Sequence, residues 1–214
     1  MTFSPEQIET GRRLFATQAE FIWAASKIDN LPPAQGIEIA FAGRSNVGKS
    51  SLVNALTNQN ALARTSHTPG RTQELIFFTI SSGLTLVDMP GYGYAAVAKH
   101  KAASWGELIR AYLRGRANLA RVYVLIDGRH GVKDTDGETL DLLDRAAVSY
   151  QIVLTKMDQV EPEDRESRVA AAAAAIKRRP GAHPHVVATS SRERQGIEEL
   201  RAAVGVLLSE RRGG

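Results

Sequence analysis

Residues Gly43-Arg44-Ser45-Asn46-Val47-Gly48-Lys49-Ser50 fit the pattern G-x-x-x-x-G-K-[ST]. Glycines at those two places let successive backbone N–H groups converge on phosphate oxygens. Lys49 can carry a full positive charge to the β- and γ-phosphates, and the Ser50 hydroxyl can reach a bound Mg²⁺. The pattern needs a strand before it and a helix after it. Residues 37–42, Ile-Glu-Ile-Ala-Phe-Ala, read as a strand, and the run opening at Ser51 reads as the first turns of a helix. The helix start then adds the positive end of its dipole to the same place. A plain glycine turn between a strand and a helix is the competing reading, and the full match in this context disfavours it.

Three further groups lie beside predicted strand ends, where open α/β sheets bind ligands. Asp88-Met89-Pro90-Gly91 has the form D-x-x-G. Asp88 can hold Mg²⁺ through water, and Gly91 lets an N–H approach the γ-phosphate. Thr155-Lys156-Met157-Asp158 follows an apolar strand. A carboxylate there can accept from the N1–H and the exocyclic amine of guanine, a donor pair that adenine lacks. Lys156 can lie over the base, and the Thr155 hydroxyl can reach the base N7. Thr189-Ser190-Ser191 follows the last strand and can offer an N–H to the guanine O6. One threonine among Thr65, Thr68 and Thr72 should complete the Mg²⁺ shell. Thr72 is preferred, because Gly70-Arg71-Thr72-Gln73-Glu74 sits just ahead of a strand. Asp158 argues for GTP over ATP, leaving an ATP-dependent phosphoryl-transfer enzyme and a plain nucleotide hydrolase as the alternatives.

The elements that position these groups are legible from periodicity. Six strands are predicted at 37–42, 74–80, 84–88, 122–126, 151–154 and 185–188. The turn 81–83 is so short that the second and third must pair antiparallel. The rest alternate with helices, which argues for right-handed crossovers. The expected fold is three-layer α/β: a mostly parallel six-stranded sheet with one antiparallel strand and helices on both faces. Residues 5–27 read as a single helix, with Ser4 as N-cap, Pro5 at its first position and Gln7 closing a capping box. Residues 1–35 are therefore expected as a helical extension on the main domain, 36–214, or as a small partner-binding element. Ser104 and Glu107 read as the capping box of another helix, with Trp105, Leu108, Ile109, Tyr112 and Leu113 as its apolar stripe.

The chain has 214 residues and no cysteine, so disulfides and Cys-based metal or redox sites are excluded. There is no secretory pattern at the start and no apolar run near the length of a membrane span, so a cytoplasmic monomer without a membrane partner is expected. The net charge of +4 is unevenly spread. From Tyr92 to Arg121, Lys99, Lys101, Arg110, Arg114, Arg116 and Arg121 stand against Glu107 alone, a local +5, so the remainder sums to −1. Such a run is either a solvated helix face or a surface for a polyanion such as RNA. Lys99, Lys101, Arg110, Arg114 and Arg116 are the RNA-binding candidates.

The segments Gly-Arg-Ser-Asn-Val-Gly-Lys-Ser-Ser-Leu, Thr-Pro-Gly-Arg-Thr-Gln, Asp-Met-Pro-Gly-Tyr-Gly-Tyr-Ala and Thr-Lys-Met-Asp together resemble the EngB-type (YihA/YsxC-type) GTPases. The resemblance covers about residues 34–208 and only loosely the first 35. It implies a bacterial, translation-factor-class GTP switch needed for assembly of the large ribosomal subunit and linked to cell division and septation. It also implies nucleotide contacts from Gly43 through Ser51, Gly70 through Glu74, Asp88 through Gly91, Thr155 through Asp158 and Thr189 through Ser191, with Ser50 and Thr72 on Mg²⁺. Ras-like relatives orient the attacking water with a Gln directly after the D-x-x-G glycine. Here that residue is Tyr92, so slow intrinsic hydrolysis is expected. Lys49 is the catalytic cation. Asn46 stands where potassium-dependent relatives place a ligand, and it either binds K⁺ or only shapes the loop.

Overall fold

The computed structural model describes residues 2–60, 62, 74–80, 83–92 and 99–213, with 99–105 as helical backbone. A seven-stranded sheet runs through the molecule in the order β1-β3-β4-β2-β5-β6-β7. The strands are β1 (Glu20–Ala25), β2 (Ile37–Gly43), β3 (Leu75–Ile80), β4 (Leu84–Asp88), β5 (Leu119–Asp127), β6 (Tyr150–Thr155) and β7 (Val187–Ala188). From β4 to β7 all neighbours are parallel. β3 pairs antiparallel with both β4 and β1, so it is the one strand that runs against the rest. The helices are α1 (Pro5–Leu14), α2 (Lys49–Thr57), α3 (Lys99–Gly115), α4 (Asp134–Arg145), α5 (Pro162–Ile176) and α6 (Ile197–Gly213).

The central strands are apolar on both faces, as parallel strands under two helical layers must be. Along β2 the side chains alternate between two cores. Ala40 and Ala42 face α3, α4 and α5 through Leu108, Ile109, Tyr112, Leu140 and Ile176. Ile39 and Phe41 face α2 and α6 through Leu52, Leu56, Leu200 and Val204. Burying both layers fixes the strand order, and with it which strand ends share one edge.

The N-terminal segment departs from the sequence expectation. Ser4 and Gln7 do form the capping box: the Gln7 N–H donates to Ser4 Oγ, 3.2 Å, and the Ser4 N–H donates to Gln7 Oε1, 2.9 Å. The helix stops at Leu14, however, and the Phe21-Ile22-Trp23 run lies in β1, the seventh strand. Aromatic and β-branched residues fit a pleated edge better than a helix, and the free side of β3 supplies the backbone partners. α1 lies on α6, with Gly11 against the backbone of Arg201 and Ala202. The predicted cap at Ser104 also fails, because α3 already begins at Lys99.

Arg116, one of the RNA-binding candidates, is turned inward and paired, against the expectation of a free surface cation. It ends up folded under the C-terminal end of α3, where Nε donates to Glu38 Oε2 at 2.9 Å and Nη1 to the Pro32 carbonyl at 2.7 Å. The Tyr112 hydroxyl donates to the same carboxylate at 3.1 Å. The Arg116 and Glu38 side chains are 7% and 2% exposed, so neither charge has water to fall back on. The pair ties the start of β2 to the end of α3. Breaking a buried pair leaves an uncompensated charge, at a cost of about 3–5 kcal/mol. Arg116→Ala or Glu38→Ala should lose about that much in urea unfolding, whereas exposed Arg110→Ala on the same helix should stay within about 0.5 kcal/mol of wild type.

Candidate functional site

The phosphate loop spans the five residues between Gly43, the last residue of β2, and Lys49, the first of α2. Val47 is buried and its N–H donates to the Arg44 carbonyl at 3.1 Å, which folds the loop over its own anchor. Asn46 and Gly48 both take the left-handed conformation, at φ 64° and 99°. The first amides of α2, Lys49 and Ser50, have no carbonyl ahead of them in the helix and point out of its end. Lys49 Nζ pairs directly with the Asp88 carboxylate. That contact sets the carboxylate at the end of β4 against the first residue of α2.

The D-x-x-G stretch continues the sheet past β4. The Met89 N–H donates to the Phe41 carbonyl at 3.0 Å, Tyr92 N–H to the Gly43 carbonyl at 3.2 Å, and Ser45 N–H to the Tyr92 carbonyl at 3.1 Å. Gly91 is therefore held flat against the phosphate loop. A Cβ there would stand 3.0 Å from Ser45 Oγ and 3.2 Å from Ser45 N, so a side chain would push the two loops apart. Met89 is buried beneath the loop and Pro90 half-buried beside it. The Tyr92 hydroxyl donates to Asp136 Oδ1 on α4 at 3.0 Å. The other Asp136 oxygen accepts the Lys133 N–H at 2.9 Å, at the start of that helix. Burial, and then the Asp136 charge, push the Tyr92 phenol well above the usual tyrosine range. Its proton is committed to α4.

The base subsite is assembled from the ends of β5, β6 and β7. Thr155 does not offer its hydroxyl to the base N7, as the sequence suggested. Its single proton goes to the Val47 carbonyl at 2.6 Å, with the Ile126 carbonyl at 3.3 Å, and N7 needs a donor. Lys156 is left-handed at φ 58°, and its Nζ donates to the Asn46 carbonyl at 2.7 Å. Two successive residues of Thr-Lys-Met-Asp thus grip two successive carbonyls of the phosphate loop. Buried Met157 seats the turn, and its N–H donates to the Thr189 carbonyl at 3.1 Å. Asp158 Oδ1 accepts the Ser190 hydroxyl at 2.7 Å, which fixes the plane of that carboxylate. Ser190 in turn accepts the Glu193 N–H at 3.0 Å. Thr189 is buried, its hydroxyl and its N–H both donating to the Leu154 carbonyl at 2.9 and 2.7 Å, so it anchors the turn to β6. Ser191 is half-buried at the rim.

The structure thus brings together residues 43–51, 88–91, 155–158 and 189–191. Gly70, Arg71, Thr72 and Gln73 lie outside the described residues, and Glu74 is a half-buried bend ahead of β3. The Lys99 and Lys101 side chains also lie outside them, while Arg110 and Arg114 are exposed on α3. Two site residues escaped the sequence reading. Asp127, the last residue of β5, accepts Lys156 Nζ at 2.9 Å, and Arg129 donates to both of its oxygens. Burial disfavours the Asp127 charge, but the hydrogen bonds from Arg129 and Lys156 outweigh it and hold the carboxyl well below the usual range. The signal was there: an acid ending an apolar strand, placed as Asp88 is on β4.

Residues 38–156 match the model of a family described as 50S ribosome-binding GTPase. A probable GTP-binding protein EngB of Bradyrhizobium diazoefficiens is 65% identical over 206 residues, 95% of each chain. One from Rhodopseudomonas palustris is 63% identical over 213 residues, 99% of each. Among solved structures, a probable GTP-binding protein engB superposes with a TM-score of 0.65 at 22% identity, covering 81% of this chain and 99% of that one. Era in complex with MgGDPNP and a 16S ribosomal RNA fragment gives 0.61 at 18%, covering 81% and 57%. At those identities the structures speak for the fold alone, a P-loop GTPase fold. The family match and the full-length relatives go further: this chain belongs to the EngB family of GTP-binding GTPases.

Proposed function

We propose that this protein is a Mg²⁺-dependent GTP switch with slow intrinsic hydrolysis, acting in assembly of the large ribosomal subunit and so supporting cell division. The observation that carries the switch reading is the Tyr92 hydroxyl bound to Asp136. A side chain occupied that way does not orient an attacking water, so the residue after Gly91 transmits position instead of catalysing.

The rest of the site suits phosphoryl transfer, which is mostly positioning and charge stabilisation. The loop amides and Lys49 bind and hold the β- and γ-phosphates. The Ser50 hydroxyl and the Asp88 carboxylate are hard oxygen donors, and the contact of Asp88 with Lys49 at the start of α2 supports a fit of these residues to Mg²⁺. Bound there with Thr72, the ion would neutralise charge developing between the β- and γ-oxygens. Gly91, pressed on Ser45, keeps an N–H where the γ-phosphate arrives. Asp158 and the backbone at Ser191 select guanine.

Slow hydrolysis leaves room for help. Asn46 is at the loop position where K⁺ could share the transition-state charge. The test is GTP turnover in KCl against NaCl at equal ionic strength, where several-fold faster turnover in KCl is expected and equal rates refute K⁺ binding at Asn46.

The partner reading rests on the family's description as ribosome-binding and on exposed Arg110 and Arg114 on α3, the helix that follows the D-x-x-G stretch in the chain. Lys99 and Lys101 belong to the same helix. Co-sedimentation with large-subunit precursors is the direct test. Wild-type protein should pellet with them when loaded with a GTP analogue and much less with GDP. The Arg110→Glu/Arg114→Glu protein should lose most of that binding, more so as salt rises. Binding independent of the nucleotide refutes the switch, and binding untouched by the charge reversal refutes this face.

A further inference from the structure

We propose that Asp127 is a positioning residue of the base subsite: its carboxylate, locked by Arg129, holds Lys156 in the conformation that receives the guanine ring. β5 lies between β2, which leads into the phosphate loop, and β6, which leads into Thr-Lys-Met-Asp. Asp127 is in register with Thr155 on β6. It is thus the strand-end residue sited between the two halves of the nucleotide site.

Its bonds are specific. Oδ2 accepts Lys156 Nζ at 2.9 Å and Arg129 Nη2 at 2.7 Å, while Oδ1 accepts the Arg129 backbone N–H at 3.1 Å and Nε at 2.9 Å. Arg129 Nη1 donates to Gln159 Oε1 at 3.0 Å, on the turn that carries Asp158. The carboxylate is therefore fixed from two sides and cannot rotate away from the lysine. Lys156 has three protons. One goes to the Asn46 carbonyl and one to Asp127, so its stem runs along one path.

An unheld lysine stem has several rotamers, and ordering it on binding costs affinity. Asp127 removes that cost from the binding step by ordering Lys156 beforehand. Arg129 does a second job. It neutralises Asp127, so the lysine keeps its net positive charge toward the ring face. Asp127 touches no nucleotide in this account and acts only through Lys156. Affinity should therefore depend on it, and the phosphoryl-transfer step should not.

The test is a double-mutant cycle on the full-length protein, reading GDP affinity with a fluorescent GDP and steady-state GTP hydrolysis. Asp127→Asn keeps the volume and should raise Kd for GDP and KM for GTP about tenfold, the scale of losing an outer-shell orienter, with kcat at saturating GTP changed by less than about twofold. On a Lys156→Ala background the same substitution should add no more than about twofold. Arg129→Ala, an exposed change that spares the fold, should weaken GDP about threefold, again only while Lys156 is present. Wild-type GDP affinity in either single variant overturns the proposal. So does an undiminished loss on the Lys156→Ala background, or a fall in kcat with KM unchanged.

Discussion

The site depends on one mechanical link: Thr155 and Lys156 at the end of β6 donate to the carbonyls of Val47 and Asn46 in the phosphate loop. A nucleotide has two recognisable ends, and a protein that reads both must hold their subsites at a fixed separation. Here the separation is set by two hydrogen bonds between adjacent residue pairs. The buried bond from Thr155 is shielded from competing water, and the partly exposed one from Lys156 is charge-assisted. Everything else at the base end is hung from that link. Ser190 sets Asp158, Thr189 knits the last loop to Leu154, and Asp127 steadies Lys156.

The phosphate end has a second connection, and it leads outward. Gly91 and Tyr92 are stitched to Gly43 and Ser45 on one side, and Tyr92 reaches Asp136 on the other. Gly91 is thereby joined to the start of α4 through a single residue, Tyr92. The same stretch leads into α3, the helix with Arg110 and Arg114 on its outer side. Tyr92 and Asp136 thus lie on a path by which the phosphate end could inform a partner face. A sub-ångström event at a phosphate becomes useful when it tips such a packed contact between two arrangements.

The chemistry-bearing segments were legible in the sequence because each has a fixed spacing and follows an apolar strand. Parallel strands under two helical layers leave little choice about which ends meet, so finding the strands located the site. What was not legible depends on partners distant in the chain. Arg116 looks like part of a basic run, and nothing local says that Glu38, at the start of β2, buries it. Thr155 has a hydroxyl in reach of a base by motif, yet in the fold its proton goes to the Val47 carbonyl. The Phe21-Ile22-Trp23 run could be one side of a helix until the open edge of β3 is known to need a strand. Asp127 was missed because an acid at a strand end gains meaning only when its neighbour proves to be Lys156. In each case tertiary context decided between two locally acceptable readings.

The link between the base and phosphate subsites can be tested through a residue that makes its bonds to the protein alone. The Thr155 side chain donates only to protein carbonyls, so removing its hydroxyl takes away no contact to nucleotide. GDP affinity of Thr155→Val, near in shape and still buried, is the direct measurement. A loss of about tenfold or more in GDP affinity, with the protein still cooperatively folded, is what the link predicts from one buried hydrogen bond and its orphaned carbonyl. Wild-type affinity in that variant would contradict it, and the two subsites would then be held apart by the sheet alone.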